Sequence, residues 1–245
     1  MKHWKRLAMI MAIGVLPFRV GAEEAVKDSA HVPVLKAGEV TSEQRAIPPL
    51  EVKQEEGALT VSSVEKESTR IHITSPEVVS SSAMVQNSIN REIRSYVEKL
   101  EKEIVKKNEK TKDTPTELFI DYSVMDNKNG IFSVIINSYT YKVNDANGEQ
   151  KEKGFSFNST SGKKLHLYDL GNYKVEHVKT GVDALVKMQK DEGFDSEYVI
   201  PEDLKVSKNF FLYEDRVYLI YDPGVLAPYS YGNVHVDVGP YKTHN

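Results

Sequence analysis

The sequence predicts an α+β fold in which antiparallel sheets, built as meanders of hairpins, are each packed by a helix. Three observations predict it: one long segment with apolar residues at helical spacing, several short segments of alternating apolar and polar residues, and Asn-Gly pairs between them. The 245 residues are 40% hydrophobic and 28% charged, which is typical of a chain with a packed core. We expect two closely associated subdomains, residues 58–165 and 166–245.

The first 22 residues have the three parts of a secretory signal peptide. A basic start precedes an apolar run over Leu7–Phe18, and small residues end the segment at Ala22. This run is shorter than the roughly 20 residues that span a bilayer, and no later segment is long and apolar enough to do so. We therefore expect an exported chain, periplasmic or extracellular. The alternative is an uncleaved anchor, since Arg19 is unusual so near a cleavage site.

Charge and composition exclude several classes of protein. Removing the leader, which carries four basic residues and no acid, changes the formal net charge from −4 to −8. An acidic chain is a poor match for nucleic acid and attracts basic partners. The sequence has no cysteine, which excludes disulfides, thiolate metal ligands, cysteine nucleophiles and a lipidated cysteine anchor.

Residues 23–57 predict a flexible tether. They contain three prolines and several acids but no helical or strand period, so they bury too little apolar surface to offset the entropy of ordering. The alternative is an arm packed on the domain as a strand.

Residues 58–107 predict two short strands and a long helix. Ala58–Val61 and Arg70–Thr74 have the composition of strands, and Pro76 ends the second. A helix is predicted over Ser82–Lys107. Its apolar residues recur every three or four positions and form one stripe: Val85, Ile89, Ile93, Val97, Leu100 and Ile104. A single stripe favours a helix lying on a sheet over a coiled coil.

The remaining elements are mostly strands. The middle of the chain predicts a three-stranded meander, at Glu117–Met125, Ile131–Val143 and Glu152–Asn158. Its turns are predicted at Asn129-Gly130 and Asn147-Gly148, because such pairs favour tight hairpins. A second helix is predicted over Gly181–Lys190, with a capping box between Thr180 and Asp183. The last strands are predicted at Phe210–Tyr213, Arg216–Tyr221 and Val234–Val238.

No catalytic or metal-binding pattern occurs in the sequence. The seven histidines are not paired at helical spacing, and His72 and His235 alternate with β-branched residues, which indicates exposed sheet positions. A calcium loop starting at Asp126 would need an oxygen ligand where Lys128 stands, so a hairpin turn is the better interpretation. No nucleophile elbow or phosphate-binding glycine loop is present. We expect no enzyme activity, no metal and no cofactor.

A cluster of tyrosines near the C-terminus is the candidate partner-binding surface. Tyr218, Tyr221, Tyr229 and Tyr231 lie around Pro228. Tyrosine rings on loops make good recognition surfaces because they lose little entropy on binding. The alternative is that the rings cap the core at the end of the last hairpin. The only tryptophan lies in the leader, which weakens a carbohydrate-stacking role for this cluster.

Three stretches of the chain resemble exported bacterial domains of unknown function. They are Ile73–Ile93, Phe155–Leu170 and Asn209–Gly232, and the most specific block is Leu226-Ala227-Pro228-Tyr229. Together they resemble, over Ala58–Tyr241, the paired domains that form the ectodomain of RsiV-type anti-sigma factors. The same domains precede the catalytic domain of PdaC-type peptidoglycan deacetylases. Gly224 departs from the pattern, since the family has an aromatic residue there.

The resemblance implies an exported, non-catalytic binding or sensing module of the cell envelope. In RsiV-type proteins the partner is lysozyme, which is basic, so lysozyme or peptidoglycan fragments are the implied partners. No sigma-binding segment precedes the module and no deacetylase domain follows it, so neither activity is expected. The alternatives are an accessory protein or degenerate relative of a peptidoglycan-modifying enzyme, and a structural envelope protein.

Overall fold

The computed structural model describes residues 58–242, so the predicted leader and tether lie outside the described residues. The strands are β1 (Thr60–Glu67), β2 (Ile71–Val79), β3 (Thr116–Lys128), β4 (Ile131–Lys142), β5 (Glu149–Asn158), β6 (Phe210–Tyr213), β7 (Arg216–Tyr221) and β8 (Val234–Pro240). The helices are α1 (Ala83–Lys110), α2 (Leu167–Leu170) and α3 (Val175–Asp191). The strands form one sheet in the order β1-β2-β3-β4-β5 and another in the order β6-β7-β8. The predicted α+β class is confirmed, whereas the subdomain boundary at residue 165 stays a prediction.

The first sheet is mixed rather than purely antiparallel. Strands β2 and β3 pair in parallel over Ile71–Ile73, whereas every other neighbouring pair is antiparallel. The reason is α1, which carries the chain back along the sheet, so that β3 starts at the same end as β2. Pro76 was expected to end β2, but the strand continues to Val79. A proline is tolerated there because β3 pairs with β2 only before it, which leaves that edge open.

Helix α1 covers one face of the first sheet with the predicted stripe. Ser82 caps the helix by accepting a hydrogen bond from the Val85 N–H. The stripe is buried except for Leu100, which is partly buried. It packs on the alternate strand residues that face it, including Leu118, Phe132 and Phe157, all fully buried. The apolar period of the helix and the alternation of the strands therefore meet in one core.

The hairpin turns follow the predicted chemistry with one exception. Asn129 and Gly130 both take positive φ, as a tight turn between β3 and β4 requires. Between β4 and β5 the left-handed position is taken by Asn144 rather than by Asn147-Gly148. Gly148 instead lies against the ring of Tyr139, where a Cβ would come within 2.1 Å of Cζ.

Helix α3 covers one face of the second sheet. It begins at Val175, six residues before the predicted start, so the expected capping box is wrong. Thr180 lies inside the helix, where its hydroxyl donates to the Glu176 carbonyl. At Gly181 the helix meets β8 so closely that a Cβ would lie 2.4 Å from the Asp237 carbonyl oxygen. A glycine at this position lets the two backbones approach.

The second sheet packs on the face of the first sheet opposite α1. Strand β4 is therefore buried on both faces over its first six residues. The Leu212 N–H donates to Ser133 Oγ across the junction, at 2.9 Å. A Cβ on Gly154 would lie 1.8 Å from the Phe210 carbonyl oxygen. On the face of the first sheet opposite α1, the second sheet covers only the part near the β3–β4 turn, where β6 contacts β4. The rest of that face is open.

Four asparagines bind the main chain in the same way. Each side-chain amide accepts from one backbone N–H and donates to one backbone carbonyl, at 2.7 to 2.9 Å. The pairs are Asn90 with Val78, Asn108 with Thr116, Asn127 with Leu59, and Asn209 with Gly154 and Glu152. These amides satisfy main-chain groups in or next to strands that would otherwise need another hydrogen-bond partner.

Candidate functional site

The structure divides the predicted tyrosine cluster into a buried part and an exposed part. Tyr218 and Tyr221 are only 6% and 5% exposed, because they lie on β7, the central strand of the second sheet. The Tyr218 ring stacks on Phe211 at 5.1 Å, and burial together with the nearby Asp237 carboxylate raises the pKa of Tyr218 to about 12. The Tyr221 hydroxyl donates to the Lys205 carbonyl. Both rings are core residues, so they are not available to a partner.

The exposed part is the short 3₁₀ turn between β7 and β8. Pro228 is exposed and precedes the turn, and the rings of Tyr229 and Tyr231 are 55% and 36% exposed. Gly232 ends the turn with a φ of 71°, a conformation that favours glycine. The partner-binding prediction is thus narrowed to Pro228, Tyr229 and Tyr231.

A loop that the sequence analysis did not single out extends this exposed patch. Tyr198 meets Tyr231 edge-to-face at 5.8 Å, and burial with the neighbouring Tyr231 raises the pKa of Tyr198. The Val199 N–H donates to the Leu226 carbonyl, which holds the loop beside the turn. Three aliphatic side chains are exposed there: Val199, Ile200 and Val225. We call Pro228, Tyr229, Tyr231, Val199, Ile200 and Val225 the tyrosine-loop surface.

The chain around the tyrosine-loop surface is strongly acidic. Residues 191–203 contain six acids and no lysine or arginine. The acids, all exposed, are Asp191, Glu192, Asp195, Glu197, Glu202 and Asp203. Within the described chain, the ion pair found among them joins Asp191 to Lys187 on α3. These exposed carboxylates border the apolar side chains of the tyrosine-loop surface and give this part of the chain a negative charge.

The two histidines predicted to lie exposed on strands have different surroundings. His72 is partly exposed on β2, where its Nδ1 lies 2.5 Å from Glu67 Oε2. His235 is half-buried on β8 and is hydrogen-bonded to Glu152 of β5. The exposed position expected for His235 is therefore wrong, because its face of the second sheet packs against the first sheet.

The described chain has a groove beside α1 but no cluster of metal-ligating side chains. Within residues 58–242, no three His, Cys, Asp or Glu side chains converge on a point that could hold a metal ion. A groove of about 380 Å³ lies between the first sheet and α1. Two ion pairs lie within this groove, Lys66 with Glu101 and Arg94 with Glu77. None of the helices in this part of the chain is long and apolar enough to cross a membrane.

The fold is shared with solved domains of unknown function. A crystal structure of a DUF3298 family member from Bacteroides fragilis is 16% identical, with a TM-score of 0.52 over 76% of this chain and 95% of that chain. One of a DUF3298 family protein from Pseudomonas aeruginosa is 14% identical, with a TM-score of 0.53 over 76% of this chain and 93% of that chain. At these identities the likeness shows the fold alone.

The family comparison adds a second, local relationship. The family model described as "Deacetylase PdaC" matches residues 62–142, from β1 to the end of β4. This match confirms the resemblance of that region to the PdaC-type domain. No curated protein matches the chain.

Proposed function

We propose that this chain is an exported, non-catalytic binding or sensing module of the bacterial cell envelope. Its tyrosine-loop surface would recognise a wall-acting basic protein such as lysozyme, or a component of the wall. The observation that carries the proposal is the exposed apolar patch of Tyr229, Tyr231, Val199, Ile200 and Val225 beside the acidic segment 191–203.

The chemistry of this surface suits a protein partner. Exposed apolar patches with polar borders mark interaction sites, and tyrosine is enriched at the centres of interfaces. The acidic border would attract a basic protein over a distance, while the apolar centre would hold it after contact. The acids would therefore speed the association of a basic protein, and the apolar side chains would slow its dissociation.

The proposed location has support of its own. The first 22 residues have the pattern of a secretory leader, and the PdaC-type match agrees with an exported domain.

A second candidate is an accessory protein or degenerate relative of a peptidoglycan-modifying enzyme. The name of the matching family, a deacetylase, favours it. Release of acetate from N-acetylated peptidoglycan by the purified chain would replace the first proposal with this one.

A binding titration tests the proposal. The purified chain from Glu23 onward is titrated with lysozyme and with soluble peptidoglycan fragments, at low and at moderate salt. We expect saturable lysozyme binding that persists at moderate salt and weakens at least about tenfold in Tyr229→Ala, as for a tyrosine central to an interface. Tyr168→Ala is the matched control, because Tyr168 is 76% exposed on α2. Binding to lysozyme that vanishes with salt would be charge attraction alone and would contradict the proposal.

A further inference from the structure

A row of aromatic rings crosses the open part of the first sheet. His72, Phe119 and Tyr139 are directly opposite one another on β2, β3 and β4. The His72 and Phe119 rings are stacked, with centroids 4.7 Å apart and planes 11° apart. The centroids of the Phe119 and Tyr139 rings lie 6.3 Å apart. Phe119 and Tyr139 are 38% and 40% exposed. We call these three residues the sheet strip.

Neighbouring groups fix the rings of the sheet strip. The Tyr139 ring rests on the backbone of Gly148, which has no side chain to push it away. The His72 ring is held by Glu67 on one side and by Phe119 on the other. A ring that is already oriented loses little entropy when a ligand stacks on it.

The groups beside the sheet strip are polar and paired. Next to Phe119 and Tyr139 on the same face of the sheet, Asp121 accepts a hydrogen bond from the Asn137 amide at 2.6 Å. Arg70 pairs with Glu117 on the other side at 3.7 Å. By the alternation of the strands, the remaining open positions on β4 and β5 are Tyr141 and Gln150, whereas Glu152 is covered by His235 of the second sheet. Of the large apolar side chains that are exposed among the described residues, Phe119 and Tyr139 lie on this open area.

We propose that the sheet strip is a binding platform for a glycan chain, formed by residues other than those of the tyrosine-loop surface, although Gln150 opposite Tyr139 lies near Gly232 at the end of the tyrosine turn. A sugar ring presents weakly positive C–H groups that stack on the negative face of an aromatic ring. Its hydroxyl and amide groups at the ring edge need hydrogen-bond partners, and carboxylate–amide pairs such as Asp121–Asn137 supply both donors and acceptors. A row of rings across three strands suits consecutive sugars of one unbranched chain.

The same features argue against a protein occupant. The core of a protein interface is normally desolvated and apolar, whereas here carboxylates and amides surround the rings. The tyrosine-loop surface shows the contrast, since its rings lie beside three exposed aliphatic side chains. The inference rests on the proposed function in that an envelope location would bring the chain into contact with wall glycans.

Calorimetric titration with defined oligosaccharides tests the platform. The purified chain from Glu23 onward is titrated with hexamers of β-1,4-linked N-acetylglucosamine, of glucosamine and of glucose. We expect binding of at least one hexamer with a Kd tighter than about 1 mM. Phe119→Ala and Tyr139→Ala should each weaken it by about tenfold, the upper range for a single aromatic contact. Asp121→Ala, at an exposed position, should weaken hexamer binding without a change in the midpoint of thermal unfolding.

The outcomes separate this inference from the proposed function. Tyr229→Ala should leave glycan binding unchanged, and Tyr139→Ala should leave lysozyme binding unchanged. The absence of binding to all three hexamers would overturn the platform while leaving the lysozyme titration to decide the tyrosine-loop surface. Lysozyme binding that is lost in Phe119→Ala and Tyr139→Ala would also overturn it, because the sheet strip would then be a protein interface.

Discussion

The tyrosine-loop surface and the sheet strip both expose aromatic rings, but their neighbours differ. On the tyrosine-loop surface the rings extend from a 3₁₀ turn, beside aliphatic side chains and a run of exposed acids. On the sheet strip the rings lie across regular strands, and the nearby charged and amide groups are paired. Exposed aromatic rings therefore indicate different ligands according to the groups that surround them.

The largest predicted effect is on stability, from a substitution that forces the two sheets apart. A Cβ at Gly154 would collide with the Phe210 carbonyl oxygen, a backbone atom that cannot rotate away. We expect Gly154→Ala to lower the free energy of unfolding by about 3 kcal/mol, the upper range for overpacking. Thermal or denaturant unfolding measures this change. An unfolding midpoint equal to that of the unmodified chain would show that the sheets are not packed as described.

Gly148→Ala is the matched glycine variant on the sheet strip. Here the added Cβ meets the Tyr139 ring, which is the end of a flexible side chain. We expect a stability loss below about 1 kcal/mol, because the ring swings aside. The displaced ring should weaken hexamer binding by about tenfold, the scale of one aromatic contact, with lysozyme binding unaffected. Equal losses of both affinities would instead indicate a general disturbance of the fold.

Removing charge near the tyrosine-loop surface should act mainly on the rate of association. In the double variant Glu197→Gln and Glu202→Gln, we expect lysozyme to associate about threefold more slowly at low salt, since both acids steer a basic partner. The difference should shrink at moderate salt because of screening. Stopped-flow association rates measure it. A salt-independent loss, or a matching loss of hexamer binding, would contradict the assignment of the two surfaces.

The smallest effect is expected at Asp126, which serves neither surface. Burial raises the pKa of this carboxyl, as does nearby Asp215, and one of its oxygens has no hydrogen-bond partner. Because the pKa of Asp126 in the folded chain lies above the usual 3.8, folding favours the protonated carboxyl. The contribution of Asp126 to stability therefore falls as the pH rises from below 3.8 through the pKa of the folded chain. Asp126→Asn should therefore be more stable at neutral pH by about 0.5 kcal/mol.

The control for Asp126→Asn is the pH dependence itself. Denaturant unfolding of both chains should show their stabilities converging below the usual pKa of an aspartate. A variant that is less stable at neutral pH would show that the ionised carboxylate is stabilised in the fold.

Local patterns predicted most of the secondary structure because they record which side of each element is buried. The stripe from Val85 to Ile104 predicted α1, and the Asn129-Gly130 pair predicted the turn after β3. The start of α3 was missed because Lys174 is not a typical N-cap residue, and the His177 side chain accepts the Lys174 N–H instead.

The candidate sites were less predictable because they depend on contacts between distant segments. Tyr218 and Tyr229 look alike in sequence, yet one lies on a central strand and the other on a turn. The sheet strip joins residues from three strands, and its register follows from the parallel pairing of β2 with β3. The one local signal for the extended tyrosine-loop surface was the apolar run from Tyr198 to Ile200 within an otherwise acidic loop.

The four asparagine side chains that each bridge two main-chain groups have a consequence for the chemical ageing of the molecule. Deamidation of Asn90, Asn108, Asn127 or Asn209 would replace an NH₂ donor by a carboxylate oxygen facing a backbone carbonyl, so each event would break a bridge and add a repulsive contact. Deamidation is fastest where glycine follows, and in this chain the Asn-Gly pairs lie in the β3–β4 and β4–β5 turns, whereas each bridging asparagine is followed by a bulky residue. During storage, deamidation should therefore occur first at the two Asn-Gly turns and much more slowly at the four asparagines that bind the main chain.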